Sequence, residues 1–281
     1  MKSIPALQHK TWVYLRPRRG WAAINPAELW AHRELLFFLT LRDLKVRYKQ
    51  TLLGLAWALL RPLLLMLLFS FIFSTLVQMD AGPIPYPLFV LAALLPWLYV
   101  ADGLARAAQS VIDDQRLINR VYFPRLILPA SAALAALADM LPGLFLLLLL
   151  IVFYGLPLRP EMLFLPLLLF LSLLLALGLG FWLSAFNVQY RDVRYAIPFL
   201  IQVWQYASPI MYPLHLVPPA WQALYSLNPM VALAEGFRWA LLGTPPPSLM
   251  SLAASVCLTG ALFLGGMLYF RRAERQFADK I

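Results

Sequence analysis

The sequence predicts an all-α integral membrane protein: six transmembrane helices preceded by an amphipathic interfacial helix, with a re-entrant helical hairpin between spans five and six. Three observations predict it. Of the 281 residues 62% are hydrophobic and only 13% charged, about half the charged share of a soluble domain, and the mean hydropathy is +0.74. Six apolar runs, roughly 53–78, 86–108, 127–153, 162–186, 196–212 and 248–270, approach the ~20 residues a helix needs to cross hydrocarbon. The third observation is that the Lys and Arg residues collect on one side of the topology those runs define. Ten precede span one, Arg106, Arg116, Arg120 and Arg125 fall between spans two and three, Arg191 and Arg194 between four and five, and Arg271, Arg272, Arg275 and Lys280 after six; only Arg159 and Arg238 fall outside, with Arg61 inside span one. That asymmetry places both termini in the cytoplasm.

Before the first span the periodicity is helical. Phe37, Leu41, Leu44 and Tyr48 recur at spacings of four, three and four, while Arg42, Lys45 and Lys49 line another side. An interfacial helix over 28–50 follows, either a simple topogenic anchor or a moving gate. The preceding residues 1–27 read as a cytoplasmic segment, 51–270 as the six-span domain with an outer hairpin over 213–246, and 271–281 as a cytoplasmic tail. With the first apolar run about fifty residues in, membrane insertion is expected to use the spans themselves.

Polar groups inside the bilayer mark places to look for function. Arg61-Pro62 lies one-third of the way along span one, where Pro removes a backbone bond and kinks a helix; Arg61 either snorkels or faces a wet cavity. Asp139 shares a stripe of small residues with Ser131, Ala135 and Gly143, suited to helix contact, and reads as a buried hydrogen bond before a transport role. Ser172, Ala176, Gly180 and Ser184 form a second stripe, for packing. The run from Ser208 to Pro247 is too broken by Pro to span and too apolar for a free loop, so two short helices, about 219–226 and 229–242, dipping into the outer leaflet satisfy its backbone. Trp204, Tyr206, Tyr212, Trp221, Tyr225 and Trp239 lie in or near it, as an aromatic belt or as rings lining a sugar path.

Several chemistries find no residues. No Gly is followed by Lys, so a Walker phosphate loop is excluded; no Gly-x-Ser-x-Gly elbow occurs, and His9, His32 and His215 lack metal-ligand spacing. The basic residues flank apolar segments instead of lining a solvated face, which argues against nucleic acid despite a net charge of +10. Cys257 sits in an apolar run and reads as an inert core thiol. The acidic pair Asp113-Asp114 reads as a solvated loop face. If the chain moves a large substrate against a gradient, another protein must supply the energy, and the cytoplasmic loops SVIDDQRLINRVYFPRLILP and NVQYRDVRYAIPF are its docking candidates, with Ile118, Val121 and Tyr122 expected to be available to a groove.

RDLKVRYKQTLLGLAWALLRPLL, INRVYFPRLILP, FNVQYRDVRYAIPFLIQ with SPIMYP, and LNPM followed by EGFRWALLG resemble, in order, the permease subunits of ABC-2 type polysaccharide exporters, closest to the O-antigen branch; capsule and teichoic-acid exporters share the plan. The resemblance implies a homodimeric permease in the bacterial inner membrane, joined to two copies of an ATPase subunit that binds ATP and Mg, exporting lipid-linked polysaccharide; this chain itself would hold no cofactor or metal and catalyse no reaction. It further implies an ATPase-coupling element at Arg116, Asn119, Arg120, Phe123, Pro124 and Arg125 with Arg191, an interfacial inlet at Arg42, Lys45, Arg47 and Tyr48, and a substrate path or gate drawn from Trp57, Arg61, Trp204, Tyr206, Tyr212 and Trp221. A permease for a small lipophile or drug would need the same loops with less aromatic lining; a membrane glycosyltransferase would need a catalytic constellation the residues do not form.

Overall fold

A computed structural model describes residues 30–49, 56–79 and 82–277; the expected N-terminal segment 1–27 and the end of the tail, 278–281, lie outside the described residues. The protein is an all-α membrane protein. The amphipathic helix α1 (Arg33–Tyr48) precedes α2 (Ala56–Phe69), which runs on through a π-helical segment, Ser70–Leu76. Next come α3 (Tyr86–Asp113), the single-turn α4 (Gln115–Ile118), α5 (Ile127–Phe153), α6 (Leu165–Gln189) and α7 (Val193–Tyr206), then the short α8 (Pro219–Ser226), α9 (Pro229–Leu242) and the long α10 (Leu249–Ala273).

Among the described residues five stretches are long and apolar enough to cross a membrane: Ala56–Leu76, Tyr86–Asp113, Ile127–Phe153, Pro160–Gln189 and Leu249–Gln276. They coincide with five of the six expected runs. The run over 196–212 does not form one long helix: α7 has 14 residues, about 21 Å at helical rise, and the chain turns between Ala207 and Tyr212. Ser208 and Pro209 supply the local reason, since a hydroxyl competing for backbone bonds followed by a residue without an N–H stops an α-helix. Both helices predicted beyond the turn lie where the Pro breaks put them, at α8 and α9.

α3 is the hub. It packs against α5, α6, α9 and α2 and is buried along most of its length. Small residues permit this where no hydrophobic driving force exists between helices in lipid: Gly103 faces Ala176 and Ala136, and a Cβ on Gly180 would lie 2.6 Å from that of Ala107. Both small-residue stripes therefore pack. Ser172, Ala176, Gly180 and Ser184 are buried on α6, and Ser131, Ala135 and Gly143 on α5. α6 meets α10 equally closely, with Trp182 Nε1 donating to Leu262 O at 3.2 Å. Cys257 corrects its expectation: it is exposed on α10, because an apolar run in a spanning helix also has a lipid face.

α2 continues through Pro62, which is buried. Beyond Phe69 the ladder widens, with Val77 N donating to Ile72 O at 3.0 Å, an i→i−5 bond. In α1 Leu41, Leu44 and Tyr48 are half-buried, Lys45 and Lys49 exposed. Phe37 is 59% exposed, and the residue turned fully inward is Leu39, flanked by Leu35 and Leu36. Arg42 and Arg47 reach carboxylates of the bundle.

Candidate functional site

A cavity of about 300 Å³ opens where α1, α2, α3 and α5 meet. Its wall includes Arg47 and Tyr48 from α1, Trp57 and Arg61 from α2, Tyr99, Asp102 and Arg106 from α3, and Asp139 from α5. Two of the sequence-predicted sets are thereby brought together, the interfacial pair and the first-span pair. Asp139 is ion-paired with Arg47 and accepts from the Tyr48 hydroxyl; Arg61 pairs with Asp102. Three guanidiniums thus face two carboxylates, and among the described residues Arg106 makes no ion pair. Tyr99, 2% exposed, directs a buried hydroxyl that has no hydrogen-bond partner. The wall carries one positive charge in excess and an unused donor, the equipment for an anionic, oxygen-rich group.

Arg42, one and a half turns back along α1, leaves the cavity to its neighbours and grips the start of the loop between α3 and α5. Nη1 and Nη2 donate to Asp114 Oδ1 and Oδ2 at 2.8 and 2.6 Å, and Nε and Nη2 to Asp43 Oδ1 at 3.0 and 2.8 Å. The bond to Asp114 holds the Arg42 guanidinium above its ordinary pKa. Asp114 is therefore an ion-pair partner, a correction to its reading as a solvated loop face. Lys45 is exposed.

The loop from α4 to α5 divides into an outer and an inner half. Arg116, Asn119 and Arg120 are exposed, as are Val121 at 53% and Tyr122 at 76%. Phe123, at 4%, and Ile118 are buried with Leu39, Leu126, Phe181, Phe270 and Phe277; Pro124 is buried beside them. Ile118 thus faces the core and not an open groove, because α4 is a single turn with one inward side. Arg125 is tied down: its N–H donates to Glu274 Oε1 at 3.0 Å and its Nη1 to Glu274 O at 2.6 Å. Arg191, with Tyr190 and Tyr195, is exposed after α6, at the same end of the bundle, where Asn187 Nδ2 donates to Ala108 O at 2.9 Å.

At the opposite end the aromatic residues join one polar network. Trp204 Nε1 donates to Asn228 Oδ1 at 3.0 Å, Asn228 Nδ2 donates to Ser208 Oγ at 2.9 Å and to Ala207 O at 3.2 Å, and Asn228 Oδ1 caps α9 by accepting from Met230 N. Tyr212 donates to Tyr206 O and shares a 2.9 Å bond with the Tyr225 hydroxyl. Trp221 and Tyr206 remain exposed. Arg238, expected outside, is 2% exposed. Its Nε and Nη2 donate to Phe89 O and Ile210 O at 3.1 and 2.8 Å, with the guanidinium 3.6 Å from the Phe89 ring centroid, so it pins α9 to α3 and to the turn after α7.

Sequence reasoning missed Asp102 and Asn228 and misread Asp114. A signal existed for the first two. Arg61 inside a span needs an acid at its own depth, and Asp102 is the acid in span two; Asn228-Pro229 is a helix-start dipeptide.

The ABC-2 type transporter family matches residues 34–242, from the first turn of α1 to the end of α9, the whole cavity included. The chain is 30% identical over 256 residues to an O-antigen export system permease protein of Myxococcus xanthus, covering 90% of this chain and 98% of that one. Against an O-antigen export system permease protein of Klebsiella pneumoniae it is 26% identical, with 88% and 94% covered, and against a polysialic acid transport protein of Escherichia coli 29%, with 84% and 92% covered. A match of this length, over elements that build the cavity, the loop and the outer network alike, makes the chain a member of the ABC-2 type transporter family.

Proposed function

We propose that this chain is the transmembrane subunit of an ATP-driven exporter that moves lipid-linked polysaccharide, O antigen first among candidates, across the bacterial inner membrane. The observation that carries the reading is the cavity beneath α1, where an amphipathic helix and the first span enclose excess positive charge and an unpartnered Tyr99 hydroxyl. A lipid-linked glycan presents an anionic, hydroxyl-rich head at the depth of an interfacial helix, and its names among the relatives are O antigen and polysialic acid.

In this reading residues 28–50 are the interfacial helix, 51–270 the six-span domain, 213–246 the re-entrant outer hairpin, and 1–27 and 271–281 cytoplasmic. α7 serves as the fifth span although its 14 residues fall short of the ~30 Å hydrocarbon core; the turn after it and the α8–α9 hairpin complete the thickness, with the network around Asn228 satisfying backbone groups that water would otherwise reach. Two copies form the pore. The lipid-level faces of α2, with Leu64, Leu67 and Phe71, and of α7, with Phe199, Leu200 and Val203, are exposed in one copy and supply surface for pairing. Two ATPase subunits bind ATP and Mg and dock on Arg116, Asn119, Arg120 and Tyr122 with Arg191. Their closure pushes the loop, separates the first spans, and lets polymer pass the aromatic residues of the outer end.

Deleting the gene tests the reading. Lipid-linked polymer accumulating on the cytoplasmic face, and reaching the surface on re-expression, is the expected result. Normal surface polymer would overturn polysaccharide export, and loss of polymer synthesis would point to an enzyme instead.

A further inference from the structure

Among the described residues α1 is attached to the bundle through two charged contacts and an apolar one. Arg42 holds Asp114 with two parallel bonds of 2.8 and 2.6 Å, the bidentate geometry that makes an Arg–carboxylate contact both strong and directional. Five residues on, about 8 Å along the axis, Arg47 and Tyr48 hold Asp139. Leu39 is buried in the same cluster as Ile118 and Phe123.

Asp114 occupies a particular place. Its side chain belongs to α1, while its backbone carbonyl accepts from Leu117 N at 2.9 Å and Ile118 N at 3.2 Å, so it also holds the only turn of α4. A force that displaces α4 therefore reaches α1 through Asp114, beside the apolar cluster in which Ile118 meets Leu39. The far end of α1 contributes Arg47 and Tyr48 to the cavity wall, so motion at Arg42 changes the cavity.

Resting on the exporter reading above, we propose that the Arg42–Asp114 pair is the drive link of the inlet: it transmits displacement of the ATPase-facing loop to α1, and α1 turns about its Asp139 contact to open the cavity to substrate. Arg42 and Asp114 act as positioning residues. Three features support a linkage over a static brace. The pair lies mid-helix, about 8 Å along α1 from Arg47 and Tyr48 in the cavity wall; the second contact, at Asp139, gives a pivot on a different helix; and Phe37, Phe38 and Val46 are exposed, so the outer side of α1 is open among the described residues.

The test uses the permease reconstituted with its ATPase subunit in lipid vesicles, with Cys257 replaced by Ser and spin labels at two pairs of exposed sites. Phe38 with Leu141 reports α1, far from its pivot, against α5; Gln115 with Leu141 reports α4 against α5. In the parent protein ATP trapping is expected to shift both distances. Asp114→Asn keeps the backbone carbonyl and loses the ion pair, so the Gln115 shift and basal ATP hydrolysis persist while the Phe38 shift is lost. The exchanged pair, Arg42→Asp with Asp114→Arg, restores it. A Phe38 shift that survives Asp114→Asn, or an exchanged pair that leaves it lost while the Gln115 shift is intact, overturns the link alone. A parent in which neither distance responds to ATP overturns the exporter reading and the link with it.

Discussion

Replacing Asn228 with Ala removes four hydrogen bonds from the outer end of the molecule. Two are accepted, from Trp204 Nε1 and Met230 N, both at 3.0 Å; two are donated, to Ser208 Oγ at 2.9 Å and Ala207 O at 3.2 Å. At about 1 kcal/mol net for each bond, with the bond to Met230 already counting the cap, the closed arrangement loses roughly 3–4 kcal/mol. Trp204, Ser208 and Ala207 belong to α7 and its turn while Met230 belongs to α9, so three of the four bonds cross from the spanning bundle to the hairpin and only those three oppose opening. Their share is about 3 kcal/mol, a shift of roughly 10²-fold in the open-to-closed ratio. Asn228→Asp keeps both accepted bonds and loses both donated ones, which predicts roughly 10- to 30-fold. Ion efflux from proteoliposomes reads this directly, and the expected order is parent, then Asp, then Ala. Ser248→Ala is the control, because Ser248 caps α10 through a 3.1 Å bond from Ser251 N and touches none of the gate bonds; it is expected to lower stability by about 1 kcal/mol without leak. If Asn228→Ala melts below the parent yet leaks no more than Ser248→Ala, the network is a fold element and the hairpin does not close the path.

Three further outcomes follow from the geometry. Arg120→Ala combined with Tyr122→Ala, both exposed, is expected to abolish export and ATPase association with an unchanged melting temperature, whereas Phe123→Ala, in the buried cluster, loses about 3–5 kcal/mol of stability; thermal melts and co-purification separate the two. Gly178→Ala places a Cβ 2.8 Å from Phe263 N and 3.0 Å from Leu262 C, so α6 and α10 must part, at about 1–3 kcal/mol, read as a lower melting temperature in detergent. Burial pushes the Glu235 carboxyl above its ordinary 4.5, against the pull of Arg238. Its proton is held more tightly in the folded state, so its contribution to stability is full below about 4.5 and fades as pH rises through the raised value. Glu235→Gln is therefore expected to melt above the parent at neutral pH and to flatten the pH dependence; a lower melting point there would mean the charged carboxylate is the stabilising form.

Length and apolarity made five spans and both hairpin helices legible, because a bilayer imposes twenty-residue runs and Pro marks where they break. α7 was harder: Gln202, Gln205 and Ser208 dilute a run that ends as a helix of 14 residues. The cavity was half legible. Arg47, Tyr48, Trp57 and Arg61 stand out as charge and aromatics beside a span, but their partners Asp139 and Asp102 come from α5 and α3, and sequence spacing says nothing about which helix lies next to which. For the same reason the periodicity of α1 shows a helix but not that Arg42 and Arg47 meet carboxylates, because Asp114 and Asp139 lie elsewhere in the chain.

The π-helical end of the first span has a mechanical meaning. An α-helix advances 100° per residue, and a segment bonded i→i−5 advances less, so Ser70–Leu76 stores a difference in winding against the α-helix below it. Exchange of a single bond partner from i−5 to i−4 would turn everything beyond it about the axis, carrying Phe71 and Phe73 around the helix while Arg61 and Asp102 stay where they are. The first span can thus act as a swivel, changing which side chains it shows beyond Phe69 without disturbing the half that carries Arg61.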